Sequence, residues 1–369
     1  MTVRRRVGPL LLAACVFSLT GCTQILAVDQ RALVTSLGID LAKGGRVEVT
    51  TEWFTGTNPA TVSGGGAGGG AGGGNAQPVA RSAIGANVGD ALLGVQARSA
   101  RRVDLSVTGS LLVGGAAARQ DGRALFDYMF RDAEFPIEAY AAVAEPSARV
   151  ILHAQVPGGV GYKLFTHMRS TDSTFNGSLA MPVWRFLSDS VGRCEGAFLP
   201  ILTSDPSGFR SAGTALFADG RMVGSLSPRQ TAVLGYLVGQ QPYADLIVPM
   251  SGLRHPMTLR IRSIQVRRRV NTTGGSLSMN LVAEAREAEG VTLNTPERKD
   301  LNVLAAAAVL EELKGLLGRL KEQGVDITGL GRMACAETPA LASSWPYRFR
   351  TMPIEVSAHV HVTSDGRVT

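Results

Sequence analysis

The first 22 residues determine the compartment in which the rest of the chain folds. Three consecutive arginines begin at Arg4, an apolar run occupies residues 7–19, and the run closes on Leu19-Thr20-Gly21-Cys22. A basic head, a short apolar middle and a small-residue end are the three parts of a secretory signal. The last four residues fit the bacterial lipobox, in which the cysteine sulfur receives a diacylglyceryl group and the signal is cut just before it. The sequence therefore predicts a signal peptide over residues 1–21 and lipid attachment at Cys22.

An ordinary cleaved signal and a membrane span are the alternatives for this segment. A span needs about 20 apolar residues, and the run before Cys22 is shorter. Two acyl chains on one diacylglycerol are enough for stable anchoring. We therefore expect an extracytoplasmic protein that is tethered to a membrane at its N-terminus.

The composition is that of a folded chain with several domains. Removal of residues 1–21 leaves a chain too long for one ordinary core, so two or three domains are expected. Without the three signal arginines the formal charge falls from +7 to +4. That excess is too small to indicate nucleic acid, and it mildly favours an anionic membrane surface. Cys194 and Cys335 could pair outside the cytoplasm, but two isolated cysteines leave their pairing open.

The N-terminal region, residues 22–205, shows alternating strand and helix patterns. Strands are predicted over residues 46–54, 103–113 and 139–144, and helices over residues 86–98, 116–131 and 147–155. This alternation indicates α/β packing, in two small subdomains. The glycine-rich stretch at 63–76 lacks the residues of a phosphate-binding loop and is predicted to be a flexible surface loop. We predict a polar connector over residues 200–211 and the main boundary after residue 205.

The C-terminal region, residues 206–369, is predicted to be an α+β domain. An Asp-Gly turn at Asp219-Gly220 between apolar runs indicates a hairpin, and Ser227-Pro228 begins a helix that ends at Val238. Long strands are predicted over residues 257–270, with a bulge near Ser263, and over 277–285. A helix over residues 301–321, with Leu304, Ala308 and Leu313 in its apolar stripe, and a final strand over 354–362 complete the pattern. The fold class is thus α+β: a multidomain mixed α/β lipoprotein with a C-terminal antiparallel sheet packed against a long helix.

Several groups of polar residues are candidates for chemistry, and each has a simpler explanation. His359 and His361 share one strand face, but the sequence places no third metal ligand beside them. Ser173, Ser178 and His167 lack a nucleophile elbow. The acidic residues Asp127, Asp132 and Glu134 lie at a helix end and loop, where capping explains them equally well. The last group is the arginines Arg260, Arg262, Arg267, Arg268 and Arg269. A solvated sheet face is the preferred explanation for them, and contact with membrane headgroups is the second. No catalytic, cofactor-binding or metal site is predicted.

Five segments, in order, resemble one family. They are Leu37-Gly38-Ile39-Asp40 with the strand after it, Gly89-Asp90-Ala91-Leu92, the aromatic-Arg-Asp segment 125–134 (LFDYMFRDAE), the hairpin 213–226 (GTALFADGRMVGSL), and Asp326-Ile327 with Gly329-Leu330-Gly331 and Trp345. Together they resemble the Ger(x)C lipoproteins, the C-subunits of the nutrient germinant receptors of endospores. The chain departs from the family in Thr23-Gln24-Ile25 after the lipidated cysteine, in the glycine-rich insertion, and in its preference for arginine over lysine.

The resemblance implies a non-enzymatic lipoprotein on the outer face of the spore inner membrane. Its implied partners are two integral-membrane subunits, of A and B type, together with the bilayer reached through the lipid on Cys22. It also implies an α+β architecture of three domains. The alternative is a substrate-binding lipoprotein of a membrane transporter, which would normally have two similar lobes that close about a hinge.

Overall fold

The protein is described here from a computed structural model. The structure describes residues 30–54, 78–154, 156–169, 178–240, 245–249, 255–271, 273–287 and 295–364. The predicted signal peptide, Cys22 and the predicted glycine-rich loop at 63–76 lie outside these residues. Within them, no helix is both long enough and apolar enough to cross a membrane.

The larger of the two sheets contains nine strands of the described chain. They are β1 (Arg31–Leu41), β2 (Val47–Phe54), β3 (Pro78–Gly85), β4 (Arg102–Asp104), β5 (Ser110–Gly114), β6 (Tyr140–Glu145), β7 (Ala197–Asp205), β8 (Gly208–Ala218) and β9 (Arg221–Leu226). The order is β3-β2-β1-β5-β6-β7-β8-β9, and the short β4 also pairs with β1. The centre, from β1 through β7, is parallel, whereas the pairs at both edges are antiparallel.

Helices cover both faces of this first sheet, as a parallel centre requires. They are α1 (Val88–Gln96), α2 (Gly115–Arg131), α3 (Ala148–Leu152), α4 (Val160–Arg169) and α5 (Val183–Val191). The alternating side chains of β5 show the two layers: Leu111 and Val113 pack with α1, α2 and α5, and Leu112 packs with α3 and α4. The predicted α/β packing of this region is therefore confirmed.

The second sheet has four strands in the described chain. They are β10 (Asp245–Val248), β11 (Met257–Val270), β12 (Gly275–Glu287) and β13 (Ile354–Ser364), in that order across the sheet. The first two pairs are antiparallel, but β12 and β13 are parallel. A parallel pair needs a crossover connection, which here includes α7 (Thr295–Gln323), α8 (Leu330–Glu337) and α9 (Trp345–Thr351).

The long helix α7 covers one face of the second sheet, and its buried side chains join the same apolar cluster as those of the first sheet. Helix α6 (Pro228–Val238) follows β9 and packs against β8 and α7. The predicted α+β class, with a C-terminal sheet against a long helix, is confirmed, apart from the parallel last pair of strands.

Two predicted elements were wrong. The segment 200–211 is not a connector, because β7 and β8 run through it as an antiparallel hairpin. The single strand predicted over 103–113 is two strands, since the Asp104 carboxylate accepts hydrogen bonds from the backbone N–H and hydroxyl of Ser106 and turns the chain. The predicted boundary after residue 205 falls in the turn between β7 and β8, and the division into domains there remains a prediction.

Candidate functional site: the junction between the two sheets

Asp326 is the most heavily hydrogen-bonded buried carboxylate at the junction of the two sheets. It follows α7 and is 3% exposed. Its carboxylate accepts hydrogen bonds from the backbone N–H and the hydroxyl of Thr328, at 2.9 and 2.6 Å. The same carboxylate accepts from the Gly331 N–H at 2.6 Å and from the Trp345 indole Nε1–H at 2.9 Å. Asp326 thus caps α8 and fixes the ring that begins α9.

The glycines beside Asp326 allow this close approach. A Cβ atom on Gly331 would lie 2.1 Å from the Cys194 carbonyl oxygen and 2.3 Å from Trp345 Nε1. Gly329 has a φ of +85°, in the left-handed region that favours glycine. The segment Asp326-Ile327 with Gly329-Leu330-Gly331, and Trp345 after it, therefore forms one packed unit.

Three contacts join this unit to the segment just before β7 in the first sheet. The Gly196 N–H donates to the Asp326 carbonyl oxygen at 2.8 Å. Cys194 and Cys335 form a disulfide with a Cα–Cα distance of 6.5 Å, which answers the question that their spacing left open. Arg332 donates two hydrogen bonds to the Glu195 carboxylate.

A cleft of about 360 Å³ opens at this junction, and charged side chains of both signs line it. Besides Arg332 and Glu195, Arg185 lies 3.8 Å from the Asp189 carboxylate. Arg268 donates to the backbone carbonyl oxygens of Thr328, at 2.6 Å, and of Leu237. These charged side chains are bonded to one another or to the backbone. Together, the bonds of Glu195, Arg268 and Arg332 form what we call the clamp between the first sheet and the second.

Burial sets the electrostatics of the clamp. It raises the pKa of the Asp326 carboxyl, and the hydrogen bonds from Thr328, Gly331 and Trp345 lower that pKa in part. Burial also lowers the pKa of Arg268. The hydrogen bonds to Glu195 raise the pKa of Arg332 and favour its charged form.

Asp40, on β1 of the first sheet, caps helix α3 in the same way, by accepting backbone hydrogen bonds. Its carboxylate accepts from the backbone N–H groups of Ala148 and Arg149, at 2.9 and 2.8 Å. A Cβ atom on Gly38 would lie 2.8 Å from the Ala148 Cβ, so this glycine lets α3 sit directly on β1. The segment Leu37-Gly38-Ile39-Asp40 therefore positions α3.

Glu52 on β2 has the corresponding position beneath α4. It accepts hydrogen bonds from the N–H groups of Val160 and Gly161, at 2.8 and 2.5 Å. Burial raises its pKa, and those two hydrogen bonds lower it in part.

The acidic residues that the sequence singled out have structural roles. Asp127 accepts a hydrogen bond from Arg131 at 2.7 Å, one turn along α2. Asp132 accepts from the Glu134 backbone N–H, and Glu134 pairs with Arg102 at 3.0 Å.

The other predicted candidates are scattered. The hydroxyl of Ser178 bonds that of Ser211 at 2.8 Å, whereas the His167 ring stacks edge-on against Phe209. Ser173 lies outside the described residues, and His359 and His361 lie on the exposed face of β13.

The arginines of β11 differ in their surroundings. Arg260 pairs with Asp245 and Arg262 with Glu284, while Arg267 and Arg269 are exposed. Across the residues that the structure describes, no group of three or more His, Cys, Asp or Glu side chains is placed to hold a metal ion.

Sequence reasoning missed Asp40, Glu52 and Asp326 as caps. A carboxylate followed by Thr and a Gly-Leu-Gly step is a local signal that could have indicated the capping by Asp326. Asp40 and Glu52 cap helices that follow more than 100 residues later along the chain. No pattern of neighbouring residues in the sequence links either carboxylate to the helix that it caps.

Comparisons with known proteins cover nearly the whole described chain. The model of the spore germination protein N-terminal domain matches residues 26–204. The model described as spore germination B3/GerAC-like, C-terminal, matches residues 212–366. The crystal structure of the GerBC protein superposes with a TM-score of 0.55 at 13% identity, over 88% of this chain and 96% of that one, so the two share a fold. None of the curated proteins matches the chain.

Proposed function

The chain belongs to the family of spore germination proteins that these N-terminal and GerAC-like C-terminal models define, and from this we propose that it is the C-subunit of a nutrient germinant receptor. In this proposal it is a non-enzymatic lipoprotein that assembles or couples the receptor that triggers germination. The observation that carries the proposal is that both models match, in order, across residues 26–204 and 212–366.

The anchor is part of the same proposal. Cys22 carries a diacylglycerol, and the folded chain lies on the outer face of the spore inner membrane. Three residues separate Cys22 from the start of the family match at residue 26. The disulfide between Cys194 and Cys335 supports an extracytoplasmic location, because such bonds persist in oxidising compartments.

Coupling, rather than catalysis, is what the junction supports. The charged groups of its cleft are bonded to one another or to the backbone, as a rigid connection between two units requires. The proposed partners are the A- and B-type integral-membrane subunits. A solute-binding lipoprotein is less well supported, because its two lobes are normally alike and the two sheets here differ in strand number and order.

The anchor is tested with Cys22→Ala, and Cys15→Ala in the apolar run is the matched control. Spores that produce each full-length variant are labelled with a radioactive fatty acid, fractionated and exposed to nutrient. We expect Cys22→Ala to lose the label, membrane retention and germination, and Cys15→Ala to keep all three. Wild-type labelling of Cys22→Ala would contradict the proposed anchor.

Receptor membership is tested by purification of the tagged full-length protein from detergent-solubilised spore membranes. We expect the A- and B-type subunits to copurify with it. If neither subunit is recovered under conditions in which they still associate with each other, the proposed function is wrong.

A further inference from the structure

Helices α2 and α5 form a groove on the outer side of the first sheet. The two helices are held together by the rings of Phe126 and Phe186, whose centroids lie 4.8 Å apart. Phe186 in turn packs edge-on against Phe217 of β8, at 4.9 Å. Outside this aromatic core, residues of both helices line a groove of about 940 Å³.

Large apolar side chains line the groove and remain open to solvent. Phe130 is 64% exposed, Trp184 48% and Val191 59%, and Leu187 between them is partly buried against the core. Single exposed apolar residues are common, but a contiguous aromatic and aliphatic patch in a concave site indicates an interface. Trp and other aromatic side chains are also the residues that most often dominate binding energy.

The rim of the groove is acidic. Asp121, Asp127 and Asp219 line it, and Arg131, the cation among the described lining residues, is hydrogen-bonded to Asp127. An anionic lipid surface would meet like charge at this rim. A two-fold contact between copies of the chain would bring each acidic rim against its counterpart. The charge instead favours a partner with lysine or arginine beside its apolar residues.

We propose that this groove, formed by Phe130, Trp184, Leu187, Val191 and the acidic rim, binds an amphipathic helix of a receptor membrane subunit. The helix places bulky apolar side chains between α2 and α5 and basic side chains over the rim, a known mode of helix recognition. Which protein supplies the helix is a part of the inference that rests on the proposed function. The side chains that the helix must carry follow from the groove alone.

The apolar part is tested with Phe130→Glu combined with Trp184→Glu in the tagged full-length protein. The matched control is Leu93→Glu, since Leu93 on α1 is an exposed apolar residue of the same unit that does not line the groove. We expect the groove variant to recover the membrane subunits about tenfold less well or worse, and Leu93→Glu to recover them like the wild type. Equal circular dichroism and melting temperatures establish that all three fold. Equal recovery by the groove variant would overturn the inference and leave the proposed function intact.

The electrostatic part is tested with Asp219→Asn, because asparagine tolerates the positive φ of 49° found at that turn. Recovery by the wild type should fall as salt rises from about 50 to about 500 mM, and by less for Asp219→Asn. The same salt dependence in both proteins would refute the role of the acidic rim.

The occupant is identified with a photoreactive phenylalanine analogue in place of Trp184 in the full-length protein. An adduct on a membrane-subunit segment with apolar and basic residues at helical spacing supports the inference. An adduct with lipid, an adduct with a second copy, or no adduct overturns it. If the membrane subunits do not copurify with the wild type but the adduct maps to a basic amphipathic helix of another protein, the proposed function fails and the groove keeps its assigned chemistry.

Discussion

The hydrogen bond between Trp345 and Asp326 provides the sharpest test of the junction. Trp345→Phe removes the indole N–H that donates to the buried carboxylate at 2.9 Å and keeps most of the aromatic packing. A hydrogen bond to a charged group contributes about 1.5–3 kcal/mol. The smaller ring buries less apolar surface, which costs about 1 kcal/mol more. We therefore expect the free energy of unfolding to fall by about 3 kcal/mol.

The chain offers its own control for this measurement. Trp184→Phe makes the same chemical change at a half-exposed site and should alter stability by less than about 0.5 kcal/mol. Urea unfolding of the chain without its signal segment, followed by circular dichroism, compares the two variants without relying on tryptophan fluorescence. Asp326→Asn completes a double-mutant cycle, in which we expect a coupling energy of about 1–2 kcal/mol with Trp345→Phe. If Trp345→Phe matches Trp184→Phe, or if the cycle is additive, Asp326 does not hold the junction through the indole.

Three further predictions concern other parts of the fold. Replacement of Cys194 and Cys335 by serine opens a loop with a sequence separation of 141 residues, for which chain entropy gives a loss of about 5 kcal/mol; a urea midpoint equal to that of the wild type would refute the bond. Gly38→Val, with its Cβ 2.8 Å from the Ala148 Cβ, should lower the free energy of unfolding by about 1–3 kcal/mol, and an unchanged melting temperature would contradict this packing. Because the folded-state pKa of Glu52 is raised above its ordinary 4.5, the stability of the wild type relative to Glu52→Gln should fall as pH rises from 4.5 through the folded-state pKa; a pH-independent difference between the two proteins would refute the shift.

Elements whose signals are local were predicted correctly. Helix α6 begins with a capping box at Ser227 and ends before Gly239, whose φ is +72°. The bulge expected near Ser263 appears as a shift of register between Ile261 and Ser263. In both cases a few neighbouring residues determine the backbone, so the pattern alone was sufficient.

Elements that depend on tertiary contacts were predicted less well. The buried stripe in the first half of α7 contains Leu301, Ala305 and Val309, whereas the predicted Leu304 is 40% exposed. In an alanine-rich turn, either set of residues could face the core, and packing against the second sheet determines which set is buried. The connector predicted around Pro200 is part of β7 because its Ile201 and Thr203 pair with β6, a strand more than 50 residues earlier.

The site itself was beyond prediction from spacing for the same reason. The segment around Asp326 was noticed only as part of a resemblance, and its partners Cys194 and Glu195 lie more than 100 residues away. Residues so distant in sequence become neighbours only when both sheets are formed.

The family-like segments differ in where their side chains lie, and that difference bears on function. The side chains of Asp40 and Asp326 are buried and cap helices. Asp40 holds α3 against β1, and Asp326 holds α8 and the first residue of α9 at the junction of the two sheets. The segment 125–134 begins inside with Phe126 but brings Phe130 to the surface at 64% exposure, beside Trp184. Capping and packing account for the first two segments, but they do not account for an exposed phenylalanine in an acidic groove. The helix that we propose for the groove would account for it, because that helix covers Phe130. The same contact would connect a membrane subunit to α2 on the first sheet, and the contacts around Asp326 join the first sheet to the second.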